Sequence, residues 1–436
     1  MKTIAVIFLI FASVWPGPPA APGEGVLDLE TLIEEARSSN PGIEAARQRY
    51  EAARARIEPA LSLSDPGFNF TYDKMTLSRE ALMEGDLGPM RVFGVSQEIP
   101  FPTKLIMRRQ VAVREAQMAY EDLQEKENEV IARVKTAYAN LALIEKKIEI
   151  ARESKSLLEQ IFGSASESYA AGKGKQRDVL RIQLEVSRID GELIRMEGER
   201  QSQRAKLNLL LNRDPETELA RPLVRENPPA VMRLPELYRI ARQNRPELRA
   251  LHLAVERAQR LHQLARQEYL PDFTLRYEAM EKDGHLSDWA GMIGITLPLW
   301  FWQKQNFNVR EMAAELKAME AELKERENRV SLEVREAFSR VEALNRLVLL
   351  YRTAYLPQAE ASYRSALAAY EVNRGDVEEP LTGIGVLLDL KQEYYAALTE
   401  GEVARADLEM AVGRFQGGGR GEGGEEPESV EGGNKE

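Results

Sequence analysis

Few side chains in this sequence have the spacing that catalysis or metal binding requires. The 436 residues include three histidines and no cysteine, which excludes disulfides, thiolate catalysis, cysteine metal sites and a lipidated N-terminal cysteine. His252 and His262 fall about 15 Å apart along one predicted helix, too far to share a metal ion. No nucleotide-binding glycine loop or nucleophile motif is recognisable. We therefore predict no catalytic residue, no metal ligand and no cofactor, and hence no enzyme.

The composition and the N-terminus indicate an exported, largely helical protein. Hydrophobic residues make up 43% and charged residues 30%, and the net charge of −11 argues against a nucleic-acid partner. Residues 1–25 begin with the positively charged Lys2, continue with an apolar run at 4–15 and end in a segment rich in small residues, as in a signal peptide. An N-terminal anchor is the alternative, although the run is shorter than the about 20 residues of a spanning helix. No later stretch could form such a helix, so entry into a membrane would require β-structure.

The chain contains an internal repeat, because four motifs recur in the same order in its two halves. Three of the paired segments are 29–47 with 234–252, 134–141 with 334–341, and 169–185 with 370–393. The last of these three pairs requires an insertion of about seven residues in the second copy. The fourth pairs Pro66, Phe68 and Tyr72 with Pro271, Phe273 and Tyr277.

The repeat predicts how the chain is divided. After the signal peptide, a first structural repeat occupies 26–211 and a second occupies 234–415. A proline-rich linker at 212–233 joins them. The Gly- and Glu-rich tail at 416–436 has too little apolar surface to fold and is expected to be disordered.

Each repeat is predicted to contain a helix, two strands, a helix of about 60 residues, a glycine-bearing turn and a helix of about 35 residues. The first helices are expected at about 27–58 and about 234–266, each with a kink at Pro41 or Pro246. The long helices carry apolar residues at alternating steps of four and three, which is typical of supercoiled helices. At 1.5 Å per residue they would be about 90–100 Å long. By itself this pattern favours a coiled-coil rod.

Four alternating segments, at about 67–74, 91–99, 272–280 and 288–298, weigh against a plain rod. Their length and alternation match transmembrane β-strands, although two hairpins on a soluble core are the alternative. Four strands cannot close a barrel, for which about eight is the lower limit, so two or three copies would have to share one. The aromatic residues predicted to face the membrane are Phe68, Phe70, Tyr72, Phe93, Phe273, Tyr277 and Trp289.

Prolines mark the change from strand to long helix. Pro100 and Pro102 follow one strand and Pro298 follows another. Proline cannot donate to a strand ladder and restricts the residue before it. We predict that these three prolines form a structural joint.

With the strands, the joint and the repeat in place, the chain resembles the TolC-type outer-membrane efflux family. The motifs "SDPGFNFTY", "GVSQEIPFPTKL", "GITLPLWFWQKQ" and "YAAGKGKQRDVLRIQLE" carry the resemblance, which looks most like the branch that serves heavy-metal and resistance-nodulation-division pumps. It implies a mainly α fold with a small β part, in which three copies share a twelve-stranded barrel in the outer membrane. Their long helices form an α-helical tunnel in the periplasm.

The resemblance also implies a function and partners. Such a trimer is a passive exit duct that docks onto a periplasmic adaptor and an inner-membrane transporter, with metal ions or drugs as candidate substrates. The barrel would be surrounded by outer-membrane lipid. The alternative is a periplasmic or secreted coiled-coil scaffold without a pore.

Under this resemblance, the turns at 169–179 and 370–386 are the periplasmic tips of the tunnel. Asp376, Glu378 and Glu379 are the expected gate, because three copies would bring up to nine carboxylates towards one axis. Lys173, Lys175 and Arg177 are their candidate partners, and a solvated charged loop is the alternative. The residues expected to contact the adaptor are Gly172, Lys173, Gly174, Lys175, Arg177 and Gly375.

Overall fold

The computed structural model of the protein describes residues 27–73, 90–226, 232–282, 285–372 and 374–413. The predicted signal peptide at 1–25 and the predicted tail at 416–436 lie outside these described residues. Within them, helices predominate and four strands form one sheet. No helix in the described ranges has the length and apolar character that crossing a membrane requires.

The first predicted helix is divided in two, α1 at Leu29–Ser39 and α2 at Pro41–Ala55. Asn40 separates them with extended backbone (φ −69°, ψ 120°), and its side-chain oxygen accepts a hydrogen bond from the Gly42 N–H. Proline excludes helical backbone from the residue before it, which explains why the break falls here. A short 3₁₀ helix at Pro59–Leu61 then leads to the sheet.

The sheet has four antiparallel strands in chain order. They are β1 at Gly67–Asp73, β2 at Met90–Ile99, β3 at Asp272–Lys282 and β4 at His285–Thr296. The strands begin or end within three residues of the predicted bounds. Because β2 pairs with β3, the sheet joins the first half of the chain to the second.

The first half continues with α3 at Pro102–Ala170, which has 69 residues, and α4 at Gln176–Leu210. The second half begins with α5 at Leu234–Asn244 and α6 at Pro246–Gln267, divided at Arg245 as α1 and α2 are at Asn40.

The second long helix is interrupted, unlike the first. It consists of α7 at Gln305–Leu350, a π-helical turn at Tyr351–Tyr355, and α8 at Leu356–Glu371. The last helix in the described residues is α9 at Glu378–Val412.

Two sequence predictions about the second tip are wrong. The turn does not reach residue 386, because Gly383 and Gly385 lie inside α9. The insertion of about seven residues is not present either, since α4 and α9 both have 35 residues. Glycine density suggested a long turn, but Gly383 serves a packing contact, as a Cβ there would lie 3.2 Å from the Tyr363 Cα.

The predicted helix seams are buried in the core. Val134 of α3 is fully buried in a cluster with Leu32 and Ile33 of α1, and Val334 of α7 is fully buried in a cluster with Leu237 of α5. In the layer of long helices, α3 packs against both α4 and α9, and α9 packs against α7 and α8. The core is thus an extended series of seams, and the sheet lies at the end where α3 and α7 begin.

Candidate functional site

The strand register gathers the predicted aromatic residues on one face of the sheet. Phe70 lies opposite Phe93, and Val95 lies opposite both Phe68 and Tyr277. Directly opposed residues of antiparallel strands project from the same side. Ring contacts follow, with centroids 5.1 Å apart for Phe70 and Phe93 and 6.2 Å for Tyr277 and Trp289. The apolar residues of this face are Phe68, Phe70, Tyr72, Phe93, Val95, Phe273, Leu275, Tyr277, Trp289, Ile293 and Ile295. Gln97 shares the face, as do Arg91 and Glu281, which form an ion pair at 3.1 Å.

The apolar face is largely uncovered in the single chain. Phe68 is 85% exposed and Trp289 is 72% exposed, while Phe273 is only partly exposed. Contiguous exposed apolar surface of this kind marks contact with a membrane or with another protein. The face therefore needs an apolar environment that the chain alone does not supply.

The opposite face of the sheet has mostly small or polar residues, together with the apolar Val92, Ala290 and Met292. Asn69 and Glu278 lie on either side of Gly94 in the ladder. A Cβ at residue 94 would lie 2.2 Å from the Asn69 side-chain oxygen, so a larger residue there would displace the Asn69 side chain. Arg276 and Glu278 form an ion pair at 3.7 Å on this face. One side of the sheet can therefore border water while the other borders an apolar phase.

The first strand-to-helix joint contains an ion pair as well as prolines. After β2 ends at Ile99, Pro102 occupies the first turn of α3, where a missing N–H costs nothing. The Lys104 ammonium donates to Asp272 Oδ1 at 2.8 Å, to Oδ2 at 2.9 Å and to the Leu270 carbonyl at 3.0 Å. The Phe101 N–H donates to Asp272 Oδ1 at 2.9 Å. Sequence reasoning missed this pair, although Lys104 lies within the motif "GVSQEIPFPTKL" and Asp272 lies between Pro271 and Phe273.

The second joint is built differently. Pro298 follows β4, and an exposed aromatic turn that includes Trp300 and Trp302 precedes α7. The two indole rings pack edge to face with centroids 5.6 Å apart. Instead of a lysine pair, the Tyr269 hydroxyl donates to Asn306 Oδ1 at 2.5 Å. The two joints therefore need not respond alike to substitution.

The first tip turn ends α3 with a Schellman motif. Gly172 has φ +71°, the left-handed backbone that glycine adopts without strain. The Lys173 N–H donates to the Ser168 carbonyl at 2.9 Å and the Gly172 N–H to the Tyr169 carbonyl at 2.9 Å. At the second tip, the Arg374 N–H donates to the Ala369 carbonyl at 2.9 Å. Both hairpins therefore close with the same backbone bond.

Ion pairs connect the two tips within one chain. An Arg177 Nη lies 3.4 Å from Asp376 Oδ2, and an Arg181 Nη lies 2.8 Å from a Glu378 carboxylate oxygen. Arg181 was not among the predicted residues, although it follows Arg177 by one helical turn. The pairs are exposed, so each contributes at most about 1 kcal/mol.

In the part of the chain that the structure describes, the other charged tip residues are exposed, while Gly174 and Gly375 are half-buried. Lys173 and Lys175 form no ion pair there, and neither does Glu379. A Cβ at Gly375 would lie 3.4 Å from a Glu379 carboxylate oxygen. Tyr370 lies near these acidic residues, and its hydroxyl has a raised pKa. The main cause is burial, and the nearby Asp178 and Asp376 carboxylates add to it.

The described residues contain no cluster of acidic or histidine side chains that could hold a metal ion. His252 contacts the Leu248 carbonyl through Nδ1 at 2.7 Å, a bond within its own helix. The features that remain as a functional site are thus the two-faced sheet, the joints and the charged tip.

A protein-family model described as "Outer membrane efflux protein" matches residues 32–213 and 237–375, in both halves of the chain. No curated protein matches the sequence. The fold is similar to that of VceC, an outer membrane protein from Vibrio cholerae, at 19% identity and a TM-score of 0.76, over 88% of this chain and 96% of that one.

Two further solved structures share the fold. One is the Campylobacter jejuni CmeC outer membrane channel, at 13% identity and a TM-score of 0.73 over 94% of each chain. The other is the open state of the Neisseria gonorrhoeae MtrE outer membrane channel, at 17% identity and a TM-score of 0.72, over 88% of this chain and 89% of that one.

Proposed function

The chain belongs to the outer membrane efflux protein family, a family of TolC-type channel proteins, and from this premise we propose that it is the exit duct of a tripartite efflux system. In this proposal three copies form one passive conduit from the periplasm to the exterior. An inner-membrane transporter and a periplasmic adaptor deliver the substrate and supply the energy.

The observation that carries the proposal is the open, two-faced sheet. The outer edges of β1 and β4 have no strand partner in the described chain, and one face is apolar and exposed. Open strand edges are not tolerated in lipid. Three copies of the sheet would give about twelve strands and pair every edge. The apolar face would then meet lipid and the face with Asn69 and Glu278 would line a wet lumen.

The helical layer supports the same assembly. Its two outer helices expose apolar side chains that the single chain leaves uncovered, in contrast to the buried seams of α3 and α9. On α4 these are Leu180, Leu184, Ile194 and Leu209, and on α7 they are Leu332, Leu349 and Leu350. We propose that α7 and α8 of one copy pack against α4 of the next and close the tunnel wall.

The tip is proposed to be the gate. Between the two hairpins, Asp376 pairs with Arg177 and Glu378 pairs with Arg181. These contacts support a closed state of the gate that ion pairs stabilise. A threefold ring of Asp376, Glu378 and Glu379 would favour cations. The proposed adaptor contacts are the surrounding tip residues Gly172, Lys173, Gly174, Lys175, Arg177 and Gly375.

The substrate is proposed only as a class. The resemblance to the heavy-metal and resistance-nodulation-division branch makes metal ions or drugs the candidates. A wide conduit needs little selective chemistry of its own, so the partner pump would set the choice of substrate. The division into two repeats at 26–211 and 234–415 is part of the same proposal.

Membrane fractionation and planar-bilayer recording test the function. We expect the mature protein in the outer-membrane fraction as a trimer, and cation-selective channels from the purified trimer. Recovery only from the soluble periplasm, without channel activity, would support a coiled-coil scaffold instead.

A further inference from the structure

The two repeats correspond residue by residue around the joints, with fixed differences in numbering. The motifs "GVSQEIPFPTKL" and "GITLPLWFWQKQ" align at a difference of 200, so that Lys104 corresponds to Lys304. The segments before β1 and β3 align at a difference of 205, through Pro66 and Pro271. A contact that joins β2 or α3 to β3 can therefore be transferred to its equivalent, which joins β4 or α7 to β1.

The transferred contact cannot form within one chain. The strands β2 and β3 are neighbours, whereas β4 and β1 are the two outer strands of the sheet. Neighbouring strands lie about 4.8 Å apart, so three spacings separate β1 from β4 by roughly 14 Å. The partner of β4 and α7 therefore has to be a second copy of the chain, and contacts of this head-to-tail kind repeat until a ring closes.

The transfer specifies the register in which β4 of one copy meets β1 of the next. Within the chain, Ser96 of β2 lies opposite Arg276 of β3. The equivalent pair is Thr296 of one copy opposite Thr71 of the next. Both threonines belong to the mostly polar face of the sheet. A slip by one residue would place Thr296 opposite an aromatic residue of the apolar face, so the facing of both strands supports this register.

Lys304 lacks in the single chain the partner that its equivalent has. The Lys104 side chain is 6% exposed, and its ammonium donates to the Asp272 carboxylate and to the Leu270 carbonyl at 3.0 Å. Lys304 lies at the same point of the second joint, but it is exposed and forms no ion pair among the described residues. One of two equivalent lysines thus finds its carboxylate within the chain and the other does not.

Asp65 offers a carboxylate at the corresponding place on β1. At the difference of 205, Leu270 corresponds to Asp65 and Asp272 corresponds to Gly67. Asp65 is exposed and forms no ion pair with any described residue. Because the Lys104 ammonium contacts the residue equivalent to Asp65, the transfer brings Lys304 of one copy next to Asp65 of the next. An unpaired cation on one edge of the sheet thus meets an unpaired anion on the other.

The helices beside the joint have complementary charges in the same arrangement. Within the chain, Arg114 of α3 pairs with Glu256 of the antiparallel α6 at 2.8 Å. Carried over, this contact lays α7 of one copy along α2 of the next. One helical turn from the transferred positions, Glu311 on α7 is opposed to Arg54 on α2, and both side chains are exposed.

We propose that Lys304 of one copy binds Asp65 of the next copy and so closes the second joint between copies. The pair does there what Lys104 and Asp272 do within the chain. The inference rests on the proposed trimer, to which it adds the register of neighbouring copies. Each joint of the ring then carries a lysine–aspartate pair, either within a chain or between two copies, and the second joint is complete only after assembly.

Disulfide cross-linking tests the register, in a chain that has no cysteine of its own. Thr296→Cys with Thr71→Cys should give covalent trimers on oxidation, because opposed residues of antiparallel strands have Cα atoms about 4.5–5.5 Å apart, within the range of a disulfide. Thr296→Cys with Asn69→Cys is the control on the same face. Its Cα atoms would be about 7–8 Å apart, which is too far. Equal cross-linking of both pairs, or none of either in a recovered trimer, overturns the register.

Charge exchange tests the ion pair. Lys304→Glu and Asp65→Lys should each lower the temperature at which the trimer separates into single chains, because each brings like charges together. The double variant restores opposite charges and should recover most of this loss. Lys317, on the same helix, is exposed and has no ion pair among the described residues, so Lys317→Glu with Asp65→Lys is the control and should recover nothing. Losses that simply add in the double variant of Lys304 and Asp65 overturn the pair.

The outcomes distinguish this inference from the proposed function. If the unaltered protein is recovered only as single chains, the proposed trimer fails and the contact between copies fails with it. If the protein is a trimer but shows neither the cross-link nor the recovery by charge exchange, the exit duct stands and the pairing of Lys304 with Asp65 is wrong.

Discussion

The Lys104 ammonium donates to both carboxylate oxygens of Asp272, at 2.8 and 2.9 Å, and so ties the start of α3 to the start of β3. The two residues lie in different halves of the chain, 168 positions apart. The Lys104 side chain is only 6% exposed. This pair therefore fixes the angle at which the first long helix leaves the sheet.

Lys104→Ala should destabilise the joint. It leaves the Asp272 carboxylate with only the Phe101 N–H as a donor, and it exposes the Leu270 carbonyl. The loss of a buried partner of this kind costs about 1–3 kcal/mol. Thermal unfolding followed by circular dichroism should show a lower midpoint. Asp272→Asn, which keeps the bond from Phe101, should lower it less, and equal midpoints for all three proteins would show that the pair is not structural.

Glu125→Gln should stabilise the protein at neutral pH, because it removes a partly buried charge, one oxygen of which has no hydrogen-bond partner among the described residues. Burial, with a smaller contribution from Glu247, raises its pKa above the ordinary 4.5, although Arg245 and Arg326 oppose the shift. A raised pKa means that the folded state binds the proton at higher pH than the unfolded state.

The sign of this effect gives the pH dependence. The charged form of Glu125 opposes folding at neutral pH, and this penalty disappears as the pH falls through the raised pKa towards 4.5. The advantage of Glu125→Gln should therefore shrink on acidification, as measured by thermal unfolding at several pH values. An advantage independent of pH would assign the effect to packing rather than to charge.

The sequence predicted the periodic parts of the fold well. Buried residues recur every three or four positions in the seams that contain Val134 of α3 and Val334 of α7. A short stretch of sequence is therefore enough to predict that the segment is helical and which side of the helix is buried. The alternation around Phe70 and Phe93 likewise predicted the two faces of the sheet, which depend on local pleating alone.

The parts that were missed depend on distant contacts or single residues. Asp272 could not be matched to Lys104 before β2 was known to pair with β3. The π turn at Tyr351–Tyr355 covers only five residues, which is too short a segment for helical periodicity to reveal. Gly383 suggested a turn because glycine is rare in helices, whereas its packing against Tyr363 is a tertiary contact.

Phe70→Arg should prevent membrane assembly, because this side chain is exposed on the apolar face. An arginine at the lipid-facing midplane of a transmembrane strand costs about 2–4 kcal/mol per chain. Heat-modifiable trimer in the membrane fraction should therefore be largely lost. Thr71→Arg, one position along on the polar face, is the matched control and should retain the trimer. Equal loss from both variants would contradict the proposed facing of the sheet.

The tip pairs predict a conductance change that depends on salt. Arg181→Ala removes the 2.8 Å ion pair with Glu378. It should raise single-channel conductance, because the closed state of the channel loses one of the ion pairs that stabilise it. Both pairs are exposed, so high ionic strength should weaken them and reduce the difference between the variant and the unaltered protein. Lys173→Ala, which removes a tip charge without an ion pair among the described residues, is the control and should leave the conductance nearly unchanged. If Arg181→Ala and Lys173→Ala shift the conductance equally, tip charge in general is responsible and the specific pair does not hold the gate.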